Sequence, residues 1–577
     1  MNANEALARL EGLRNARGQE AAAAKKACLA VLARRSAGTT RAVERLHEAL
    51  CFLRAYPDDA EVLAQVAAML AGVARRKDLL RHARALGDTG SAGTAIRFPF
   101  FAGTARWLAA RWADRLTVDW KAFSNRAALE RVLPLACLPA EAPGLDEVDL
   151  GARGWVKRMK GPSETDAGFL IRRLAALGRD NFEKEWAYEG LELPLVLAPG
   201  PGGPARTDAA SPVSAVHFQT APFASGRPDV RHDVSQPPRS VVPVSPAEGR
   251  RLLDLARESM VTRQRDLDVF QWGDPDGIRL AHFEDGLSFV VIGALPERRL
   301  LLESVYGFLT LKNGVPVGYV LVSALFGSSE IAYNVFETFR GGESGRIYGK
   351  VLATTRALFG PDIFTIFPYQ LGGYGNPEAL ASGAWWFYQK LGFRPRAPRV
   401  VSVMNQELVR MKADPSYRSP RATLKILASE NVYFHLGKER DDAIGILELP
   451  NVGLAVTDML ARRFGSDRER AEATLTLEAR DLLGLRSLSG WSAGERLAFR
   501  RWAPLVTILP GVARFTPAEK RGLAAVIRAK GGRHESDFVR RFDAHRKLRR
   551  SIATLAAPDF SPGLRFAKRA TNFLRPA

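Results

Sequence analysis

A glycine-rich turn in the middle of the chain has the residue types that bind an anion. The turn is Arg340-Gly341-Gly342-Glu343-Ser344-Gly345, and it lies between a strand-like run at 331–339 and a helical pattern at 347–358. A helix that begins at such a turn presents free backbone N–H groups, and its macrodipole favours negative charge at that end. The sequence therefore predicts a phosphate-binding turn, with glycines that serve only backbone geometry as the alternative.

Three other segments resemble motifs of known chemistry but do not match them. Residues 345–351 resemble a phosphate loop, but three residues separate the glycines and Val351 stands where Ser or Thr would meet magnesium. His282-Phe283-Glu284 lacks the PCxxC that a zinc deaminase requires. Residues 273–277 carry carboxylates, but a hairpin turn explains them better than a calcium loop. We therefore predict no metal site.

The elements around the turn read as a sheet with helices. Ser245-Pro246-Ala247-Glu248 predicts a helix start, and strands are predicted at 267–272, 278–283 and 287–294. Asn313-Gly314 between the apolar runs 304–311 and 315–326 predicts a hairpin inside a covered sheet. Downstream of the turn, the patterns predict a strand at 363–369, a helix at 379–391 and a strand at 400–409.

The order of these parts resembles the GNAT superfamily of N-acyltransferases. In that family a hairpin, a central strand, a glycine-rich turn that opens a helix, another strand, and an Asn before a last helix follow in this order. The most specific match is Phe387-Tyr388-Gln389-Lys390-Leu391-Gly392-Phe393. The resemblance covers roughly 296–411, or 245–411 if the first strands belong to the same domain.

The resemblance implies an acyl-CoA, with acetyl-CoA foremost, as co-substrate and an amine as acceptor. The turn from Arg340 to Gly345 and the start of its helix would hold the pyrophosphate. Asn376 would bond the pantetheine arm, and Tyr388 would stand near the thioester sulfur.

Such a reaction needs a base, because an amine with a pKa of about 10.4 must lose a proton before it attacks a thioester. Glu337, predicted on the central strand just before the turn, is the nearest candidate base, and a solvated strand residue is its alternative. Tyr388 is the candidate acid for the departing thiolate. Its alternative is a core tyrosine packed beside Trp385 and Trp386.

One residue departs from the family pattern. Glu343 stands where the family has its first defining glycine, and a carboxylate there repels a pyrophosphate. Gly341, Gly342 and Arg346 offer compensation, by shifting the turn and by adding a cation. Two hypotheses follow: an acyl-CoA-dependent N-acyltransferase, or a degenerate, non-catalytic GNAT-like scaffold that binds partners.

The whole chain is predicted to be a multidomain α+β protein. It has 577 residues, of which 46% are hydrophobic and 25% charged, values that argue against wholesale disorder. The distribution of residue types along the chain predicts four regions. They are a helical N-terminal region at 1–192, a Pro/Gly-rich linker at 193–244, a GNAT-like mixed sheet with helices on its faces at 245–411, and a helical basic C-terminal region at 412–577.

The charge balance points to an anionic partner. The net charge is +21, and residues 511–577 hold 16 Lys and Arg against 5 Asp and Glu. A basic amphipathic helix with Phe538, Phe542 and Ile552 predicts contact with an anionic surface or nucleic acid, with packing on the body as the alternative. Three cysteines without a CxxC pair, no leader-like start and no long apolar run predict a cytoplasmic protein without a transmembrane segment.

Overall fold

The computed structural model describes residues 1–177, 181–223, 228–341 and 343–557, and it confirms the mixed α+β class. The helices are α1 Ala3–Gly12, α2 Gln19–Arg34, α3 Thr40–Ala55, α4 Ala60–Gly72, α5 Lys77–His82, α6 Ala102–Arg111, α7 Arg126–Val132, α8 Ala142–Glu147, α9 Gly151–Met159, α10 Asp166–Ala175, α11 Asn181–Glu189, α12 Val230–Ser235, α13 Pro246–Val261, α14 Asp268–Gln271, α15 Ser344–Phe359, α16 Pro368–Leu371, α17 Pro377–Ala381, α18 Ala384–Lys390, α19 Pro398–Ala413, α20 Arg421–Leu427, α21 Pro450–Phe464, α22 Arg468–Leu482, α23 Ala493–Ile508, α24 Pro517–Lys530, α25 Ser536–Ala544 and α26 Arg546–Leu555. The strands are β1 Ile96–Phe98, β2 Leu116–Val118, β3 Leu195–Leu197, β4 Ser240–Pro243, β5 Arg279–His282, β6 Leu287–Gly293, β7 Ser304–Lys312, β8 Val315–Leu325, β9 Ser328–Val335, β10 Ile363–Ile366, β11 Arg394–Pro395 and β12 Val432–His435.

A nine-stranded sheet dominates the described part of the chain, in the order β11-β12-β10-β9-β8-β7-β6-β5-β4. Strands β4 to β9 form an antiparallel meander. Helix α15 then crosses over to β10, which runs parallel to β9. Their ladder joins Ser328–Glu330 to Ile363–Thr365, so the rest of β9 extends beyond it. A separate small sheet has the order β1-β3-β2.

The turn signals around the sheet are confirmed. Asn313 and Gly314 connect β7 and β8, and both have positive φ, as the tight two-residue hairpin turn requires. The Ser245 side chain accepts a hydrogen bond from the Glu248 backbone N–H, and α13 begins at Pro246. Short-range turn and cap chemistry therefore sets these boundaries.

Several predicted elements differ from the structure. Residues 400–409 form part of helix α19, because Val400, Met404 and Glu407 are buried at helical spacing, while the many β-branched residues suggested a strand. Residues 267–272 contain the short helix α14. A strand of three residues is too short to show an alternation of apolar and polar residues. The sequence therefore does not predict β1 and β2 in the N-terminal region or β3 in the supposed linker. The same linker also holds α12 and β4, and β12 joins the large sheet from the C-terminal region.

The two faces of the large sheet pack on different parts of the chain. One face meets α15 and the C-terminal helices, and Ile331 of β9 lies in that core. The other face meets the N-terminal helices and α13, and Ala332 of β9 lies there. Because side chains alternate along a strand, Glu330 and Asn334 lie on the same face as Ala332.

The C-terminal helices α25 and α26 pack against the body of the protein. Phe538, Phe542 and Ile552 are fully buried in the core that contains α15. This packing favours the alternative in which the apolar stripe is ordinary core, and residues 558–577 of the predicted anion-binding segment lie outside the described residues. In the described ranges, no helix is long and apolar enough to cross a membrane.

Candidate functional site

The predicted phosphate turn is held by the protein's own groups. Gly341 has φ +82°, a conformation that favours glycine, and Gly342 lies outside the described residues. A Cβ on Gly345 would come within 3.1 Å of Pro228, so the start of α15 is covered there. Arg340 donates to the Val335 carbonyl at 3.3 Å and forms an ion pair with Glu378.

Glu343 places a carboxylate beside the start of α15. Its oxygens lie 3.0 Å from Nζ of Lys312 and 3.2 Å from a guanidinium nitrogen of Arg346. Lys312 is almost fully buried, and burial lowers the pKa of its ammonium while Glu343 opposes that change. Arg346 also pairs with Asp285 at 2.6 Å. Lys312 and Arg346 therefore already have carboxylate partners.

The other predicted donor and catalytic residues lie apart. Asn376 caps α17, because its side chain accepts from the Ala379 N–H at 3.1 Å and donates to the Tyr369 carbonyl at 2.9 Å. Tyr388 is buried in the core on the α15 face, and burial raises the pKa of its hydroxyl. Glu337 is exposed and lies in the single turn Glu337–Phe339 after β9, not on the strand itself. The structure does not bring Glu337 and Tyr388 together.

Three cavities instead follow one another along the face of β9 that carries Ala332. The arginine cavity, of 580 Å³, includes Phe336 and Glu337 after β9. The middle cavity, of 460 Å³, includes Asn334 and Ala332. The glutamate chamber, of 290 Å³, includes Ala332 and Glu330.

Neighbouring cavities share lining residues. The arginine and middle cavities share Arg263, Arg265 and Glu378, and the middle cavity and the chamber share Ala332. The three spaces therefore form one row along β9, which starts at Glu330, the last residue of the ladder with β10, and continues along the part of β9 beyond that ladder.

The arginine cavity is named for the guanidinium groups that line it. Its arginines are Arg14, Arg45, Arg206, Arg263, Arg265 and Arg340. Four of them have carboxylate partners: Arg45 pairs with Glu11, Arg206 with Glu48, and both Arg265 and Arg340 with Glu378.

Arg14 and Arg263 differ from these four, because neither forms an ion pair with a carboxylate of the described residues. Arg14 stacks 4.0 Å above the ring of Phe52, and Arg263 lies 3.6 Å above Phe336. Burial lowers the pKa of both guanidinium groups, and Nε of Arg263 is buried without a described hydrogen-bond partner. Glu48 acts on the pKa of both groups, and the lining also holds Glu11, Glu44, Asp88, Glu337 and Glu378. Arg14 and Arg263 are nevertheless the two guanidinium groups of this cavity without a direct ion pair in the described residues, and a guanidinium group of this kind favours an anionic ligand.

The described lining of the glutamate chamber holds acidic residues and no lysine or arginine. Glu330 on β9 lies directly across from Ser323 on β8, and Ser323 donates to Glu303 at 3.2 Å. Burial raises the pKa of Glu330 to about 8, and the neighbouring charge of Glu303 acts in the same direction. Burial also raises the pKa of Glu303, while Ser323 and Lys530 oppose that rise. A carboxyl group with a pKa near neutral pH is suited to take up and release a proton.

The cover of the chamber comes from the segment between β12 and α21. The Ile444 N–H donates to Ser328 at 2.8 Å, and the Ile444 carbonyl accepts from Thr365 at 3.0 Å. Asn431 and Tyr433 each donate to the Gly445 carbonyl at 2.9 Å. These bonds fix the cover to β9, β10 and β12, so the C-terminal region completes the chamber.

Sequence reasoning missed the residues that distinguish these cavities. Glu303 and Glu330 lie just outside the predicted strands 304–311 and 331–339, where an acidic residue looks like a solvated strand end. The sequence feature that could have identified them is an acidic residue next to a strand that is apolar enough to be buried on both faces. Arg14 comes from the first helical region, and no local pattern connects it to the turn after β9.

Comparison with protein-family models, with curated proteins and with solved structures finds no match to this chain.

Proposed function

We propose that the protein is an acyl-CoA-dependent N-acyltransferase, with acetyl-CoA as the first donor to test and an amine as acceptor. The observation that carries this proposal is the row of three cavities along β9, with unpaired guanidinium groups at one end and two protonatable carboxyl groups at the other. From Glu330 to Phe336 this row spans about 20 Å, a length that the extended phosphopantetheine arm of CoA covers.

The phosphates of the donor would bind in the arginine cavity. Arg14 and Arg263 have no carboxylate partner among the described residues, and guanidinium groups match phosphate oxygens in geometry and charge. Arg340 lines the same cavity, so it remains a proposed donor-binding residue. The start of α15 is a poorer place for phosphates, because Glu343 already forms ion pairs with Lys312 and Arg346 there.

Glu330 would act as the base beside Ala332. The acceptor ammonium gives one proton to the Glu330 carboxylate, and the neutral amine attacks the thioester carbon. The C–N bond forms, the C–S bond breaks, and the second proton of the nitrogen goes to the departing thiolate. The positive charge of a bound ammonium lowers the pKa of Glu330, so the carboxylate forms when the acceptor is present.

Calorimetry with free CoA and acetyl-CoA tests the proposal. Binding with a Kd of about 1–100 μM is expected, and release of CoA thiol should require an amine. No binding of several acyl-CoAs up to about 1 mM would overturn the enzyme assignment.

The ion pairs of Glu343 favour a second candidate function, a non-catalytic GNAT-like scaffold that binds partners. In that case the chain binds no acyl-CoA, and Glu343→Gly would restore donor binding at the α15 turn. The Cys content favours a cytoplasmic location for either function.

A further inference from the structure

We infer that the acceptor is a primary amine with a compact apolar body, an alkylamine or arylalkylamine, that binds in the glutamate chamber. This inference rests on the proposed function and names the substrate class of the same site.

The charge of the chamber selects for a cation. The charged residues among its described lining are Glu303, Glu330 and Glu448, all of them acidic. This occurs in a chain whose net charge is +21, so the chamber opposes the sign of the whole protein. A bound cation lowers the pKa of nearby carboxyl groups and so stabilises their charged form, whereas a bound anion raises it, and the chamber therefore favours cationic ligands.

Neither inner carboxyl group forms an ion pair with a described residue. The Glu330 side chain also forms no hydrogen bond with a described residue, and Glu303 is the one charged group that shifts its pKa. Lys530 lies beyond Glu303, and its ammonium donates to the Glu303 backbone carbonyl at 2.9 Å and pairs with Glu535 at 2.5 Å. An ammonium between Glu303 and Glu330 would replace like-charge repulsion with two charge-assisted hydrogen bonds.

The walls of the chamber select the rest of the molecule. Its apolar lining includes Val305, Leu321, Phe367, Ile444, Leu447 and Leu449. Burial of an alkyl or aryl group against these side chains is favourable, whereas a second ammonium or a peptide backbone would lose its hydration there. The volume of 290 Å³ lies at the lower end for ligand sites, which favours a small amine over a peptide.

Calorimetry on the full chain without any donor tests this inference. The probes are 2-phenylethylamine, the neutral 2-phenylethanol of similar shape, and spermidine, which keeps the charge without the apolar body. We expect 2-phenylethylamine to bind at least about tenfold more tightly than either of the others. Glu330→Gln and Glu303→Gln should each weaken the binding of 2-phenylethylamine by about tenfold or more. Glu439→Gln, an exposed change on the segment between β12 and α21, is the matched control and should bind like the parent.

Three results would overturn the inference: no binding of 2-phenylethylamine up to about 10 mM, equal binding of the alcohol, or equal binding by Glu330→Gln. The comparison of the three probes on the parent chain decides the matter even where a variant fails to fold. Because no donor is present, an amine that binds while CoA does not would leave this inference standing and remove the proposed transfer.

Discussion

The arginine cavity and the glutamate chamber lie on the same face of one strand, yet they differ in charge and in what their charges contact. In the arginine cavity most guanidinium groups are paired, and Arg14 and Arg263 are the two exceptions among the described residues. In the chamber two carboxyl groups share one cavity with apolar walls around them. One end therefore favours a bound anion, and the other favours a bound cation or a held proton.

The difference shows that net charge says little about a particular site. A chain with a net charge of +21 still builds a cavity whose described charged residues are all glutamates. The strand that joins the two cavities fixes their separation, and a long bipolar donor would place its phosphates and its reacting group at opposite ends.

The largest expected effect is on catalysis at the chamber. Glu330→Gln keeps the shape of the side chain and removes the base, so kcat should fall by about 10²–10³-fold with little change in the KM for acetyl-CoA. Steady-state kinetics with 2-phenylethylamine as acceptor measures this effect, and Glu439→Gln serves as control. A kcat within about twofold of the parent would exclude Glu330 as the base.

The second effect concerns stability at the predicted phosphate turn. Glu343→Gln leaves the buried ammonium of Lys312 without its closest counter-charge, so the free energy of unfolding should fall by about 3 kcal/mol in urea titration. The double variant with Lys312→Met should regain most of this loss, because an apolar side chain needs no partner.

The same double variant also locates the donor phosphates. If they bind in the arginine cavity, it should bind CoA with the Kd of the parent. A Kd changed by more than about fivefold would instead place the phosphates at the start of α15.

Much of the fold around the site was predictable from local patterns. Asn313-Gly314 and the Ser245 cap set their turns through backbone geometry, so a few residues were enough to predict them. The run at 400–409 was not predictable in this way, because its β-branched residues indicate a strand while its burial follows a helical period. The candidate site was predicted least well, since Arg14, Glu330 and the cover at Ile444 are far apart in sequence and meet only through the tertiary fold.

A smaller effect is expected on donor binding at the arginine cavity. Arg14→Met and Arg263→Met each remove one unpaired guanidinium and keep most of the apolar volume, so the Kd for free CoA should rise by about tenfold for each. Arg41→Gln, an exposed change on α3, should leave the Kd unchanged. Calorimetric titration measures all three, and equal Kd values would move the anion site elsewhere.

The smallest effect is on thermal stability as a function of pH. The pKa of Glu330 is raised to about 8, so between its ordinary value and pH 8 the folded chain holds a proton that the unfolded chain releases. This carboxyl therefore lowers stability increasingly as pH rises through that window, while Gln stays neutral. The Tm of Glu330→Gln should exceed that of the parent by about 1–2 °C at pH 8.

This difference should become small near about pH 3.5, below the ordinary pKa of 4.5, where the carboxyl is mostly protonated in both states. Glu303 lines the same chamber and contributes to the raised pKa of Glu330, so Glu303→Gln should reduce the effect. A difference in Tm that is the same at both pH values would contradict the raised pKa.

If the arginine cavity and the glutamate chamber are two ends of one site, one ligand should occupy both. A conjugate of CoA and 2-phenylethylamine, joined from the sulfur to the nitrogen through an ethylene bridge so that the nitrogen stays a protonated secondary amine, tests this by calorimetry. We expect the conjugate to bind at least about 10²-fold more tightly than CoA or the amine alone, because the second contact becomes intramolecular. We also expect Arg263→Met and Glu330→Gln each to weaken the binding of the conjugate. A conjugate that binds no better than free CoA, or that is indifferent to Glu330→Gln, would contradict a single site along β9.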